Sequence, residues 1–286
     1  MSIVRFRPSG VVALFSVILS LVTPLPSLAA ILEVPKSVLQ AVVIVQCGNR
    51  QGSGTLINNK DNYVLTNAHV AMDVETETLA RSCVVGFVDD PTQRPVAFYR
   101  ATIVRSVFQP EGNLDFAILQ ISHALSERTL PQPFSMLKTD EFSVRNTPIK
   151  VAGYPGGNEQ LIVSSGTIQG FRNGFIQTNA ELNPGDSGGS AFDEQYNLIG
   201  IPTRIVTITT DDPRDTETTY ELVDIRNVFT WLDKLGTNEV DKYFTHADPE
   251  RYHLKAVFIS DASLGCVNYA RIQLSPTVYC LLPNNE

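Results

Sequence analysis

Positive charge is sparse in this sequence and nowhere clustered. Its 286 residues carry 22 Lys and Arg against 30 Asp and Glu, a formal net charge of −8. Phosphate contact needs grouped Lys and Arg, so nucleic acid is not an expected partner. Beyond residue 22 no run is apolar enough to cross a bilayer, and no stable membrane span is expected in the mature chain. No CxxC or HxxxH spacing occurs, which leaves no basis for a metal site, and nothing calls for a cofactor. There is no internal repeat and no low-complexity tract. The acidic residues are scattered apart from DDPRDTE at Asp211 to Glu217, which reads as a solvated loop.

Residues 1–30 stand apart from the rest. Arg5 and Arg7 precede an apolar stretch from Val11 to Val22, and PLPSLAA follows with small residues at Ser27 and Ala29. That order is the pattern of a secretory signal peptide, and the apolar stretch is short for an anchor. Its removal would take the formal charge from −8 to −10, because Arg5 and Arg7 are its only charged residues. The expected location is outside the cytoplasm, extracellular or periplasmic. Four cysteines in such a compartment suggest two disulfides, with three pairings open. Proximity in sequence favours Cys47 with Cys83 and Cys266 with Cys280.

From Val38 to about Arg204 the chain alternates short apolar or β-branched runs with Gly, Pro, Asn and Asp. Examples are AVVIVQC (41–47), YVLT (63–66), FAILQI (116–121), FIQT (175–178) and NLIGIPTRIVTIT (197–209). This density of short strands predicts an all-β sandwich or barrel. PQPFSMLKTDEF (131–142) reads as a linker between two groups of strands. Helical spacing appears at Val223, Val228, Trp231, Leu232 and Leu235, with Gly236 as a stop. The boundaries expected are thus 1–30 as signal, 31–236 as the main domain and 237–286 as a short disulfide-tied extension.

The strongest chemical signal is NPGDSGGS, Asn183 to Ser190. A serine hydroxyl is a weak nucleophile and must sit on a tight, exposed turn beside a base. Flanking glycines permit that turn and let the N–H groups of Gly185 and Ser187 converge on a developing oxyanion. YVLTNAHV delivers His69 at a strand end, where a neutral imidazole takes the serine proton and returns it to a leaving amine. His123, His246 and His253 lie in polar or tail contexts and read as solvated. NLDFAILQI sets Asp115 at the head of an apolar strand, where a carboxylate needs a partner to offset its burial.

The order His69, Asp115, Ser187, separated by 46 and 72 residues, together with GSGTLI, YVLTNAHV, NLDFAILQI and GFIQTNAELNPGDSGGS, resembles the chymotrypsin-like serine proteases. The likeness is closest to the HtrA-like (Deg-type) branch without a PDZ domain, and it covers about Val38 to Gly236. It implies two six-stranded β-barrels with a Ser-His-Asp triad in the cleft between them. It also implies endopeptidase cleavage of protein or peptide substrates through an acyl-enzyme, with Gly185 and Ser187 as the oxyanion hole. By the same resemblance Glu181, six residues before Ser187, lies at the pocket floor and would favour Lys or Arg at P1. Arg204 would neutralise it or favour an acidic P1, the HtrA-like pocket would take small aliphatic residues, and Thr203 would donate to Asp115. Asp186 stands where trypsin-like members pair a new N-terminal amine, although no IVGG-like segment is present; Ser190 replaces a common proline. Two rivals remain: a catalytically silent protease-fold binding protein, and an esterase-type serine hydrolase. The latter places its histidine last and its serine on a strand-to-helix elbow, unlike this chain. Oligomeric state is not legible.

Overall fold

The computed structural model describes residues 30–31, 33–58, 62–109, 114–121, 130–136, 145–157, 159–209, 216–232, 253–259, 270–274 and 277–283. A four-residue helix α1 (Lys36–Leu39) leads into β1 (Val42–Cys47), β2 (Arg50–Asn58) and β3 (Tyr63–Thr66). A second short helix, α2 (Ala68–Ala71), and a small ribbon of β4 (Met72–Asp73) and β5 (Thr78–Leu79) follow. Then come β6 (Cys83–Phe87), β7 (Ala97–Gln109) and β8 (Leu114–Ile121). Hydrogen bonding runs β7-β6-β1-β2-β3-β8, and β8 pairs back to β7. That closes a six-stranded antiparallel barrel, so these six strands leave no open edge between them.

Beyond β9 (Ser135–Met136) the second half repeats the architecture. It comprises β10 (Pro148–Gly153), β11 (Ile162–Arg172), β12 (Phe175–Thr178), β13 (Ser190–Phe192), β14 (Asn197–Thr209) and β15 (Thr216–Asp224). The order β13-β10-β11-β12-β15-β14 closes through a β13–β14 pairing into a second six-stranded barrel. The protein has the all-β, two-barrel chymotrypsin-like fold. The expected linker at 131–142 contributes β9, which pairs in parallel with the start of β14.

Where the second barrel's strands read as unbroken apolar runs, as at Phe175 and Ile176 in β12, LIGI (198–201) in β14 and Leu222 and Val223 in β15, both of their faces are covered. Ile149, Val151, Ile176, Ile199 and Leu222 fill its interior. Their sequence neighbours Ala152, Phe175, Leu198 and Val223 belong instead to the cluster shared with the first barrel. Successive strand residues point to opposite faces, so a doubly covered strand loses its polar alternation. Burial of a Leu, Ile, Val or Phe side chain stabilises by about 1.5–3 kcal/mol, which makes the barrel-to-barrel face a major source of cohesion.

Two boundaries differ from the sequence expectation. Val223 lies in β15, paired with Ile201, and helix α3 begins only at Ile225 (Ile225–Leu232). The cause is Asp224, whose carboxylate accepts the Arg226 N–H at 2.9 Å and so starts the helix. Thr216 and Glu217, expected in a solvated loop, open β15. The C-terminal extension forms β16 (His253–Ile259), β17 (Ala270–Leu274) and β18 (Thr277–Pro283), and β16 adds to β7 of the first barrel. Cys47 and Cys83 face each other across β1 and β6 and are disulfide-bonded. The Cys266–Cys280 pairing, His123, His246 and the signal segment before residue 30 lie outside the described residues, as do the helix stop at Gly236 and the boundary at 236–237. Among the described residues no helix is long and apolar enough to cross a membrane.

Candidate active site

Strand β3 ends at Thr66, and Asn67 is extended (φ −79°, ψ 151°), which turns the chain into α2 and sets His69 in its first turn. Asp115 is the second residue of β8, the strand paired with β3, so adjacent strands deliver both side chains to one end of the barrel. The Asp115 carboxylate is buried. Its Oδ2 lies 2.7 Å from His69 Nδ1, and its Oδ1 accepts the His69 main-chain N–H at 3.1 Å. Both oxygens of one buried carboxylate are thus engaged by a single histidine, which fixes the ring's position and favours a proton on Nδ1. The imidazole itself is partly open, with 29% of the side chain exposed.

Asn67 supports this pair from behind, its amide donating to the Asp115 main-chain carbonyl at 2.6 Å and to Thr203 Oγ1 at 3.1 Å. The Thr203 hydroxyl donates to the Ile201 carbonyl at 2.8 Å, so its link to Asp115 runs through Asn67 and not directly. Asn67 was not singled out from sequence, although it sits within the TNAHV segment that places His69.

Ser187 lies on the turn between the second barrel's β12 and β13, partly exposed. Gly185 and Gly188 flank it with φ of +106° and +89°, backbone that L side chains rarely adopt. Gly52 ties the turn to the histidine: a Cβ there would lie 2.7 Å from Val70 Cγ2 and 2.8 Å from the Ser187 carbonyl oxygen. The residue after His69 and the serine turn therefore close on the same point of β2. Ser190, in the place of a proline, is fully buried and shares a 2.7 Å hydrogen bond with Thr55, joining the two barrels through a hydroxyl pair.

A groove of about 220 Å³ opens beside Ser187 and is lined by Leu182, Pro184, Asp186, Thr203, Arg204 and Ile205 among others. Glu181 does not line it. Ala180 and Leu182 are buried on either side, and the alternation turns Glu181 to solvent. Arg204 lines the groove with its charge already paired: Nε lies 2.6 Å from Oε2 of the buried Glu221, and the guanidinium stacks 4.0 Å from the Phe175 ring centre. Glu221 was missed from sequence because its partner lies 17 residues away, on the adjacent strand β14. Asp186 is buried, accepts the Asn183 N–H at 2.8 Å and, among the described residues, pairs with no cation. Burial first, then the nearby Glu181 charge, pushes its carboxyl up to about 6, against the lowering effect of the Asn183 hydrogen bond. Among the described residues no group of three or more His, Cys, Asp or Glu is placed to hold a metal ion.

Comparison with known proteins gives the family and the fold. A profile described as a trypsin-like peptidase domain matches residues 52–201, more than half of the chain. This chain belongs to the trypsin-like peptidase domain family. It is 27% identical over 190 residues to the probable periplasmic serine endoprotease DegP-like of Buchnera aphidicola, covering 60% of this chain and 36% of that protein. It is 30% identical over 164 residues to the periplasmic pH-dependent serine endoprotease DegQ of Escherichia coli, covering 54% and 31%. The chain thus spans about a third of the length of the curated relatives it matches. Its fold is shared with a crystal structure of the serine endoprotease from Yersinia pestis. The TM-score is 0.53 at 22% identity, with 72% of this chain and 69% of that one covered.

Proposed function

We propose that this chain is a serine endopeptidase with Ser187 as nucleophile, His69 as general base and acid, and Asp115 as the group that orients His69. The observation that carries the reading is the double hold of the buried Asp115 carboxylate on His69, at 2.7 and 3.1 Å. With Nδ1 protonated toward Asp115, His69 Nε2 is left as the acceptor for the Ser187 proton. The serine Oγ then bonds to the scissile carbonyl carbon, and the carbonyl oxygen takes the negative charge. The N–H groups of Gly185 and Ser187 stabilise that charge; among the described residues neither has another acceptor. Collapse breaks the C–N bond, His69 returns the proton to the leaving amine, and a water repeats the sequence to release the acyl group.

The substrate is a protein or peptide, and the groove beside Ser187 favours an uncharged P1 side chain. Glu181 faces solvent, the Arg204 charge is compensated by Glu221, and Asp186, at the groove's wall, is only 5% exposed. We assign residues 1–30 to export, 31–236 to the peptidase unit and 237–286 to an extension on the first barrel. The Cys47–Cys83 disulfide suits an oxidising compartment, and two relatives are periplasmic by name. The test is hydrolysis of a peptide library by the chain lacking residues 1–30, beside its Ser187→Ala variant. Cleavage by the parent and none by the folded variant is expected. Equal cleavage by both would remove Ser187 from the mechanism and favour a contaminant or another fold-borne activity.

A further inference from the structure

Ser53, the middle residue of the GSG in β2, is fully buried and makes four hydrogen bonds. Its N–H donates to the Ser187 carbonyl at 2.8 Å, and its carbonyl accepts from Thr66 Oγ1 at 2.6 Å. Its hydroxyl donates to the Gly185 carbonyl at 2.7 Å and accepts the Tyr154 N–H at 2.8 Å. A hydroxyl is suited to that place because one oxygen serves as donor and acceptor at once.

The consequence lies in the peptide planes of the serine turn. Ser53 holds the Gly185–Asp186 plane through its side chain and the Ser187–Gly188 plane through its main chain. The Asp186–Ser187 plane between them carries the Ser187 N–H. The Pro184–Gly185 plane on the other side carries the Gly185 N–H, and its carbonyl accepts from the Gly156 N–H. Gly185, at φ +106°, has no Cβ to restrict rotation between its two planes, so an outside group must fix them. We propose that Ser53 is a positioning residue: its hydroxyl locks the turn so that the Gly185 and Ser187 N–H groups converge on one oxyanion. The inference rests on the assignment of Ser187 as nucleophile.

The test compares wild type with Ser53→Ala, Ser53→Gly and Ser53→Thr. Folded protein is checked by circular dichroism and thermal melting. Active sites are counted by the endpoint of fluorophosphonate labelling. Peptide hydrolysis and affinity for a peptide boronate, a tetrahedral adduct former, are then measured. Misplacing oxyanion donors lowers kcat, since removing one donor outright costs about 100- to 1,000-fold. The expected loss in Ser53→Ala and Ser53→Gly is about 10- to 100-fold in kcat per labelled site, with KM within about threefold and boronate affinity falling in parallel. Ser53→Thr, which keeps the hydroxyl, is expected to restore most of both. An unchanged kcat per labelled site, a loss confined to KM, or unfolding of both the Ala and Gly variants overturns the positioning role. A wild type that is neither labelled at Ser187 nor active overturns the underlying assignment as well.

Discussion

Replacing Asp186 with Asn tests the electrostatics of the serine turn from a single buried atom group. Asp186 is 5% exposed, with one N–H donor from Asn183 and no cation paired to it among the described residues. Burial, with the Glu181 charge, raises its carboxyl from an ordinary 3.8 to about 6. An acid raised on folding binds its proton more tightly in the folded state. Between about pH 4 and pH 6 the folded protein therefore holds more protons than the unfolded one, and stability falls as pH rises through that window. Roughly two pH units at 1.36 kcal/mol each gives a cost of about 3 kcal/mol, fully present above pH 6. An asparagine at this position would keep an acceptor for the Asn183 N–H and carry no charge. Asp186→Asn is thus expected to match wild type near pH 4 and to exceed its stability by up to about 3 kcal/mol at pH 7.5. Urea unfolding midpoints of both proteins at pH 4, 5, 6 and 7.5 measure this, and the difference cancels the other carboxylates. A difference that does not change with pH refutes the burial argument. A variant less stable at pH 7.5 would mean that a cation, such as a processed N-terminal amine, pairs with Asp186.

Asp115→Asn should lower kcat by about a thousandfold or more while leaving KM and the melting temperature close to wild type, because the imidazole loses its preferred tautomer; steady-state kinetics on one peptide decide it. Removing the Cys47–Cys83 bridge by Cys47→Ala/Cys83→Ala should cost about 4 kcal/mol, the chain-entropy value for a separation of 36 residues, read from denaturant midpoints. Gly188→Ala should cost at least about 2 kcal/mol and abolish activity, since a Cβ there would sit 2.2 Å from the Ser53 carbonyl oxygen at φ +89°. Glu181→Ala should leave the ratio of kcat/KM for Arg over Leu at P1 within about twofold, because Glu181 faces solvent; a collapse of cleavage after Arg would return Glu181 to the pocket.

The elements that sequence pattern reached were those whose signal is local. YVLT and FIQT coincide with β3 and β12, and the run 197–209 coincides with β14, because β-branched residues bounded by turn formers specify a strand within a few positions. The signals that single out Asp115 and His69 are local in the same way: Asp115 is the second residue of β8 and His69 follows the end of β3 by three residues. What escaped was set by contacts between distant strands. Glu221 answers Arg204 across the β14–β15 ladder, Asn67 reaches Asp115 and Thr203 at once, and Ser53 joins β2 to a turn more than 130 residues later. The start of α3 was misplaced because Val223 satisfies a helical spacing as well as a strand's alternation, and only the Asp224 cap decides between them. Glu181 was drawn toward the pocket by counting back from the serine, where the burial of Ala180 and Leu182 turns it away.

The central claim is that Ser187 is activated by a histidine held by Asp115, and one measurement addresses it directly. The chain lacking residues 1–30 is treated with a fluorophosphonate, and the adduct is located by peptide mass mapping in wild type and in His69→Ala. A single adduct on Ser187, formed in wild type and slowed at least a hundredfold in the folded His69→Ala protein, is the result expected of a serine activated by its neighbour. An adduct on another residue, or equal labelling rates in the two proteins, would contradict it.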